Sequence, residues 1–397
     1  MRAALPCAAI LLATSLTAAP VAAHDSGGGA GEAGAGQGSL SEVPAGTDLS
    51  VAGAARGLDE RKAVPVRWHG STLSFDQSAT TQTLGVGGDY QSANPTYEWW
   101  LAFKPRYFLY EKNADAVSLN LWMNLYLELT NSDTTTRLRE WLLGPTYLWA
   151  TYAHTLRDQR GYRTVVSVGP RLIIPTDKAA RDSGQILGAG ASAGASQTFP
   201  LRGGGARVWR GARLGVSATF LHPFNRATAP VNDGIHQLRQ DVAGRTVISD
   251  QLRGEMNVKS ALSLSVYGEV QVLRRLDLSA SYVVLNSWTY APSDAPICST
   301  LTGCVAPISV DDPTTYRVST WLTASVGYDV TDELSLSLGY YNLASQIGPD
   351  GTRRSPIWSP SARFFLTAVG NLDAIYQRLR GRPTAARSVA RTVARTP

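Results

Sequence analysis

The chain is short of charge, histidine and cysteine. Only 17% of its 397 residues are Asp, Glu, Lys or Arg, against about a quarter in ordinary globular domains. Five histidines and three cysteines give little material for a metal cage or a Cys/His catalytic pair. Past the N-terminal stretch no segment approaches the ~20 consecutive apolar residues that a spanning helix needs, which excludes a helical membrane protein. Wholesale disorder is excluded as well, because 44% of the residues are hydrophobic. Gly203-Gly204-Gly205 lacks the Lys-Ser/Thr that a phosphate-binding loop requires, and Gly188, Gly190 and Gly194 read as relief of crowding in a strand.

The formal charge is +6, and its location matters more than its size. Arg378, Arg380, Arg382, Arg387, Arg391 and Arg395 crowd the C-terminus with no acid beyond Asp373. Without these six and Arg2, 30 basic residues face 31 acidic ones. A neutral body with a basic tail leaves no face-wide footprint for nucleic acid. Arg387, Arg391 and Arg395 would share one face of a helix, suited to anionic lipid or the cell wall; a solvated end is the alternative.

Arg2, the apolar run Ala8–Leu16 and Val21-Ala22-Ala23 before His24 read as a secretory signal over 1–23, with a buried helix as the alternative. Ten glycines within 24–57 mark a Gly/Ala-rich flexible leader, extending to residue 70. Cys298 and Cys304 remain as a pair in an exported chain, which suggests a disulfide closing a short loop, worth roughly 2 kcal/mol. With no neighbouring Cys or His, a metal at that point is not expected, nor is a cofactor anywhere.

From about residue 71 a period of two takes over. Val117, Leu119, Leu121, Met123, Leu125, Leu127 and Leu129 share one parity, with Ser118, Asn120, Asn124 and Glu128 on the other. A helix would scatter these leucines; a strand places them on one face. The alternation recurs over 262–272, 316–328 and 334–340. About twelve strands follow, near 71–86, 96–111, 116–130, 141–156, 162–175, 184–199, 211–224, 256–272, 276–290, 315–329, 333–345 and 359–370. Links after even-numbered strands are mostly short, and links after odd-numbered ones, notably 225–255, 291–314 and 346–358, are long. Pro105, Pro145 and Pro170 fall inside this pattern and imply bulges or strand ends.

On this alternation, on the one-sided short turns and on aromatics such as Trp99, Trp100, Phe103, Tyr107, Phe108, Tyr110, Tyr147, Trp149 and Tyr152, the chain resembles a Gram-negative outer-membrane β-barrel protein of porin or transporter type. The resemblance implies an all-β, antiparallel up-and-down transmembrane barrel over 71–370, in contact with outer-membrane lipid. A secreted β-sandwich is the alternative, disfavoured because a barrel leaves no edge to protect. The C-terminal aromatic with which such barrels finish is absent, since an Arg-rich tail, 371–397, follows.

If the leucine faces meet lipid, the opposite parity lines a lumen. Its candidates are Glu98, Lys104, Arg106, Asn120, Asn124, Glu128, Arg171, Lys259, Glu269, Asp277, Arg317 and Arg363. Such charges either set the ion preference of a pore or pair across a filled interior. Passive passage of small polar or weakly anionic solutes is the first expectation. A non-conducting surface barrel acting through its long loops is the second. A loop hydrolase built on His236 with Asp233, Asp241 and Asp250 is a third; the other histidines, His24, His69, His154 and His222, form no catalytic pattern, and no enzyme is expected.

Overall fold

The computed structural model describes residues 66–81, 83–84, 96–130, 139–157, 162–200, 211–228, 236–240, 246–250, 256–273, 275–291, 297–299, 303–305, 315–345, 353, 355–359 and 362–380. The expected signal peptide, the leader up to residue 65 and the tail from residue 381 lie outside them.

Twelve antiparallel strands close on themselves. They are β1 (Thr72–Thr80), β2 (Tyr97–Lys104, resuming as Arg106–Lys112), β3 (Asp115–Glu128), β4 (Trp141–Leu143, resuming as Thr146–Arg157), β5 (Arg163–Ile174) and β6 (Gln185–Pro200). The ring continues with β7 (Gly211–Asn225), β8 (Val258–Gln271), β9 (Leu276–Thr289), β10 (Tyr316–Asp329), β11 (Leu334–Ser345) and β12 (Arg363–Asn371). Each strand pairs with the next, and β1 pairs with β12 from Thr72↔Asn371 to Thr80↔Arg363, so no edge is left open. The strands fall within about four residues of the boundaries expected from the alternation, except β1, which ends at Thr80 where 86 was expected.

The connections sort by side, with 201–210 after β6 the exception. Short links, 113–114 and 330–333 and the one between Gln271 and Leu276, join strands at the end where β1 begins and β12 finishes. Asn113 takes φ 56° in the first of them, a left-handed conformation that Asn tolerates. The opposite end carries the long connections 226–257, 290–315 and 346–362. Short turns mark the periplasmic end and long loops the outside. Two of the long connections contain strands of their own, His236–Gln240 with Thr246–Asp250 and Ile297–Ser299 with Gly303–Val305.

The prolines explain the interruptions. Pro105 splits β2 yet keeps its carbonyl in the ladder, accepting from Leu121 N at 3.0 Å. Pro145 splits β4, and the register against β3 shifts by one residue across it. Pro170 stays within β5, where pairing with β4 lapses between Trp149↔Arg171 and Tyr152↔Val168. A ring nitrogen cannot donate, so each break falls where a donor is missing.

The two faces of the sheet differ as a membrane demands. Leu101, Phe103, Leu119, Met123, Leu214, Val216, Phe220, Leu264, Val266, Leu278, Val326, Leu336, Leu338, Phe364 and Leu366 are exposed on one parity, Leu338 to 61%. The other parity holds Ser74, Ser78, Ser118, Asn120, Asn124, Ser196, Thr219, Ser263, Ser265, Ser281 and Thr323, all buried. Apolar side chains out and polar ones in invert a soluble core, which is stable only when lipid surrounds the closed sheet.

Candidate functional site

The inner face is the site, and strand parity builds it. On β2 it carries Glu98, Trp100, Lys104 and Arg106; on β3, Asn120, Trp122, Asn124, Tyr126 and Glu128. Glu98 and Glu128 sit directly opposite each other, at 2% and 0% exposure. Like charges so placed repel, and the arrangement around them answers this. Arg363 of β12 donates to Glu98 Oε2 at 2.5 Å, Trp100 Nε1 donates to the same oxygen at 2.9 Å, and Thr130 donates to Glu128. Arg106 Nε donates to Asn120 Oδ1 at 2.7 Å, and Asn120 donates on to Ser118 Oγ at 3.2 Å.

Aromatic rings alternate with these cations. Lys104 Nζ stands 4.9 Å from the centre of Trp122, and the guanidinium of Arg171 stands 5.3 Å from Trp149. Arg213 lies 5.6 Å from Tyr267, and Arg363 lies 5.9 Å from Tyr341. Trp100 stacks on Tyr126 and Trp122 on Tyr147, with centroids 5.1 and 5.0 Å apart. A cation held over a ring is attracted by the ring's quadrupole. The aromatics expected at the girdles therefore divide by parity: Trp99, Phe103, Tyr107 and Tyr152 face outward, while Trp100, Tyr147 and Trp149 face in.

One sector of the inner face is apolar. Tyr147, Trp149, Ile173 and Leu221 form a buried cluster with Trp122 against it. Leu221 comes from β7 and Ile173 from β5, with β6 between them. Gly188 and Gly190 of β6 permit the approach: a Cβ on Gly190 would lie 1.9 Å from Phe220 O, and one on Gly188 would lie 3.0 Å from Ile173 Cβ. Relief of crowding, the role expected for these glycines, is what the geometry requires.

The remaining expected residues are placed as follows. Glu269 pairs in register with Arg213 on the inner parity, and Arg213 also donates to Ser196 Oγ at 3.0 Å. The carboxylate of Asp277 lies over Gly327. Arg317 stands opposite Ser287 near the long-loop rim and is exposed. Lys259 falls at a β-bulge between Val258 and Ser260, so the alternation does not run through it. Cys298 and Cys304 are paired across their hairpin, and His236 is paired with Asp250 across the other; Asp233 and Asp241 lie outside the described residues. Asp76, which accepts from Ser74 Oγ at 3.2 Å and from Thr367, joins the inner face together with Arg213. Both share the polar parity of Ser74 and Ser78, or of Ser217 and Thr219, which the sequence displays.

Away from the inner face, His154 Nδ1 and Tyr152 OH reach the same oxygen of Asp115 at 2.8 and 2.7 Å on the outward parity near the periplasmic rim. No serine or cysteine hydroxyl or thiol bonds to that group among the described residues. No group of three or more His, Cys, Asp or Glu suited to a metal occurs among them either.

A closed twelve-strand barrel, apolar outside and polar within, mostly short-turned at one end, is a transmembrane β-barrel of the outer-membrane type. No protein-family model matches the chain, and no curated protein matches it. Among solved structures it is similar to an outer-membrane channel from Pseudomonas putida F1, over 79% of this chain and 98% of that one, at 10% identity and a TM-score of 0.46. The KdgM porin is similar over 75% of this chain and 98% of its own, at 7% identity and a TM-score of 0.30. Outer membrane phospholipase A from Escherichia coli is similar over 80% and 96%, at 11% identity and a TM-score of 0.34.

Proposed function

We propose that the chain is a passive channel for small polar or weakly anionic solutes. The observation that carries this reading is the inner face itself, where Lys104, Arg106, Arg171, Arg213 and Arg363 are held among aromatic rings and small hydroxyls. Trp321 Nε1, Ser78 Oγ and Ser281 Oγ also lie on this parity and have no hydrogen-bond partner among the described residues. Buried donors of this kind are satisfied by water or a polar solute. Cations fixed in a medium less polar than bulk water raise the local concentration of anions. The interior of twelve strands is wider than the filled core of an eight-strand barrel and much narrower than a general porin, which restricts passage to small molecules. No chemical step belongs to this reading. Conductance of the refolded chain in planar bilayers tests it: discrete steps with anion preference are expected, and a current that stays at background rejects it.

A surface role through the loops is the second reading, favoured by the hairpins inside the two longest connections. Cys298 and Cys304 stand opposite each other there, and we assign them a disulfide that pins the loop. Mass analysis of the alkylated protein with and without reductant checks the bond; two free thiols before reduction would remove it.

A further inference from the structure

The residues after β12 read as the start of a basic tail, yet Leu372–Leu379 is a helix with its apolar residues gathered on one side. Asp373 and Ala374 are its buried residues, at 3% and 1% exposure. Asp373 Oδ1 accepts from Gly70 N at 3.3 Å, where Gly70 takes φ 78° to complete the turn leading into β1. Trp68 of that turn meets Tyr376 edge-on at 5.1 Å, and Leu372 N donates to Ser71 O at 3.0 Å. The burial of Asp373 and Ala374 fixes which side of the helix faces protein, and Tyr376 packs on Trp68 at the flank of that side. At 100° per residue, Leu372, Ile375 and Leu379 lie opposite Asp373 and Ala374. Ile375 is exposed to 36% and Leu379 to 81%.

An apolar face turned from the protein needs an apolar partner. Ile375 is continuous with the barrel's own lipid-facing surface: its Cδ1 lies 3.7 Å from where a Cβ of Gly370 would stand, and Gly370 pairs with Leu73 on one side and Leu334 on the other, both exposed leucines. Beside this apolar edge stand two cations. Arg378 is 69% exposed and reaches Glu333 at 3.3 Å, and Arg380 lies 4.7 Å from the ring of Tyr376. The sequence then adds Arg382, Arg387, Arg391 and Arg395. We propose that helix 372–379 is an interfacial element lying in the periplasmic leaflet, with Leu379 and Ile375 among acyl chains and Arg378 and Arg380 on the phosphates of anionic phospholipid. An amphipathic helix with basic residues beside its apolar face binds in this way.

The experiment uses the full chain with Cys7, Cys298 and Cys304 replaced by serine. An environment-sensitive fluorophore is attached in turn at Leu379→Cys and at Asp332→Cys, the latter in the exposed turn 330–333 at the same end of the barrel. Each protein is refolded into phosphatidylcholine vesicles with and without phosphatidylglycerol, and heat-modifiable mobility on a gel establishes that the barrel has formed. The Leu379 probe is expected to emit to the blue of the Asp332 probe and to be quenched at least about twofold more by lipid spin-labelled near the headgroup. Phosphatidylglycerol is expected to increase the quenching, and Arg378→Ala/Arg380→Ala to remove that increase. A Leu379 probe as water-exposed as the Asp332 probe overturns the proposal, and so does one that is shielded but untouched by spin-labelled lipid. Equal quenching in both lipids would overturn the role given to the two arginines.

Discussion

At the scale of single residues, the inner face depends on charges that hold one another. Glu98 is 2% exposed and directly opposite Glu128, and Arg363 donates to its carboxylate. Removing one partner of a buried pair leaves the other uncompensated, which costs about 3 kcal/mol. Arg363→Ala is therefore expected to lower the unfolding free energy of the vesicle-embedded barrel by that amount, read as a lower urea midpoint. The double change Glu98→Gln/Arg363→Met removes both charges and should recover most of the loss. If the double variant were as unstable as the single one, packing of Arg363 on Tyr341 and not charge compensation would be its main contribution. Alternation in the sequence marked both residues as inward. What it left unseen was their meeting: β2 and β12 are 265 positions apart at this pair and are brought together only through β1.

At the scale of elements, β6 shows how strand composition shapes the interior. Its inner parity runs Gly188, Gly190, Ser192, Gly194, Ser196, and this lack of side chains lets Ile173 and Leu221 close over it. A Cβ at Gly190 would collide with the backbone carbonyl of Phe220, whereas one at Gly211 would meet nothing nearer than Phe199 O at 3.5 Å. Gly190→Val is expected to destabilise the barrel by about 3 kcal/mol, near the upper end of overpacking penalties, and to lower the yield of the heat-modifiable form. Gly211→Ala should leave both unchanged. Equal behaviour of the two would show that β6 can shift away from β7. The strands were legible because period two survives in long segments with one lipid-facing side. The hairpins at 236–240 and 297–299 were not, because five or three residues with no alternation carry no period. Helix 372–379 left a weak trace in the spacing of Leu372, Ile375, Tyr376 and Leu379, overshadowed by the arginines that follow.

At the scale of the whole molecule, net charge and channel charge are separate quantities. The excess of +6 belongs to the C-terminus, while the body before it, leader and barrel together, is close to neutral, and the barrel carries arginines on its inner face. Charges in water are screened within about 10 Å at 0.1 M salt, but charges in a narrow interior with lipid behind the wall are screened much less. Ion preference should therefore come from the inner residues and be insensitive to the tail. A chain ending at Arg380 is expected to give the same reversal potential in a potassium chloride gradient as the full chain. Arg213→Gln keeps a donor for Ser196 but removes the charge held over Tyr267, leaving Glu269 opposite a neutral side chain. Its reversal potential should move toward cation preference, by more at 0.1 M salt than at 1 M, where the screening length falls to about 3 Å. If the truncated chain lost its anion preference while Arg213→Gln kept it, selectivity would lie at the periplasmic mouth, and the inner arginines would serve only to hold the barrel together.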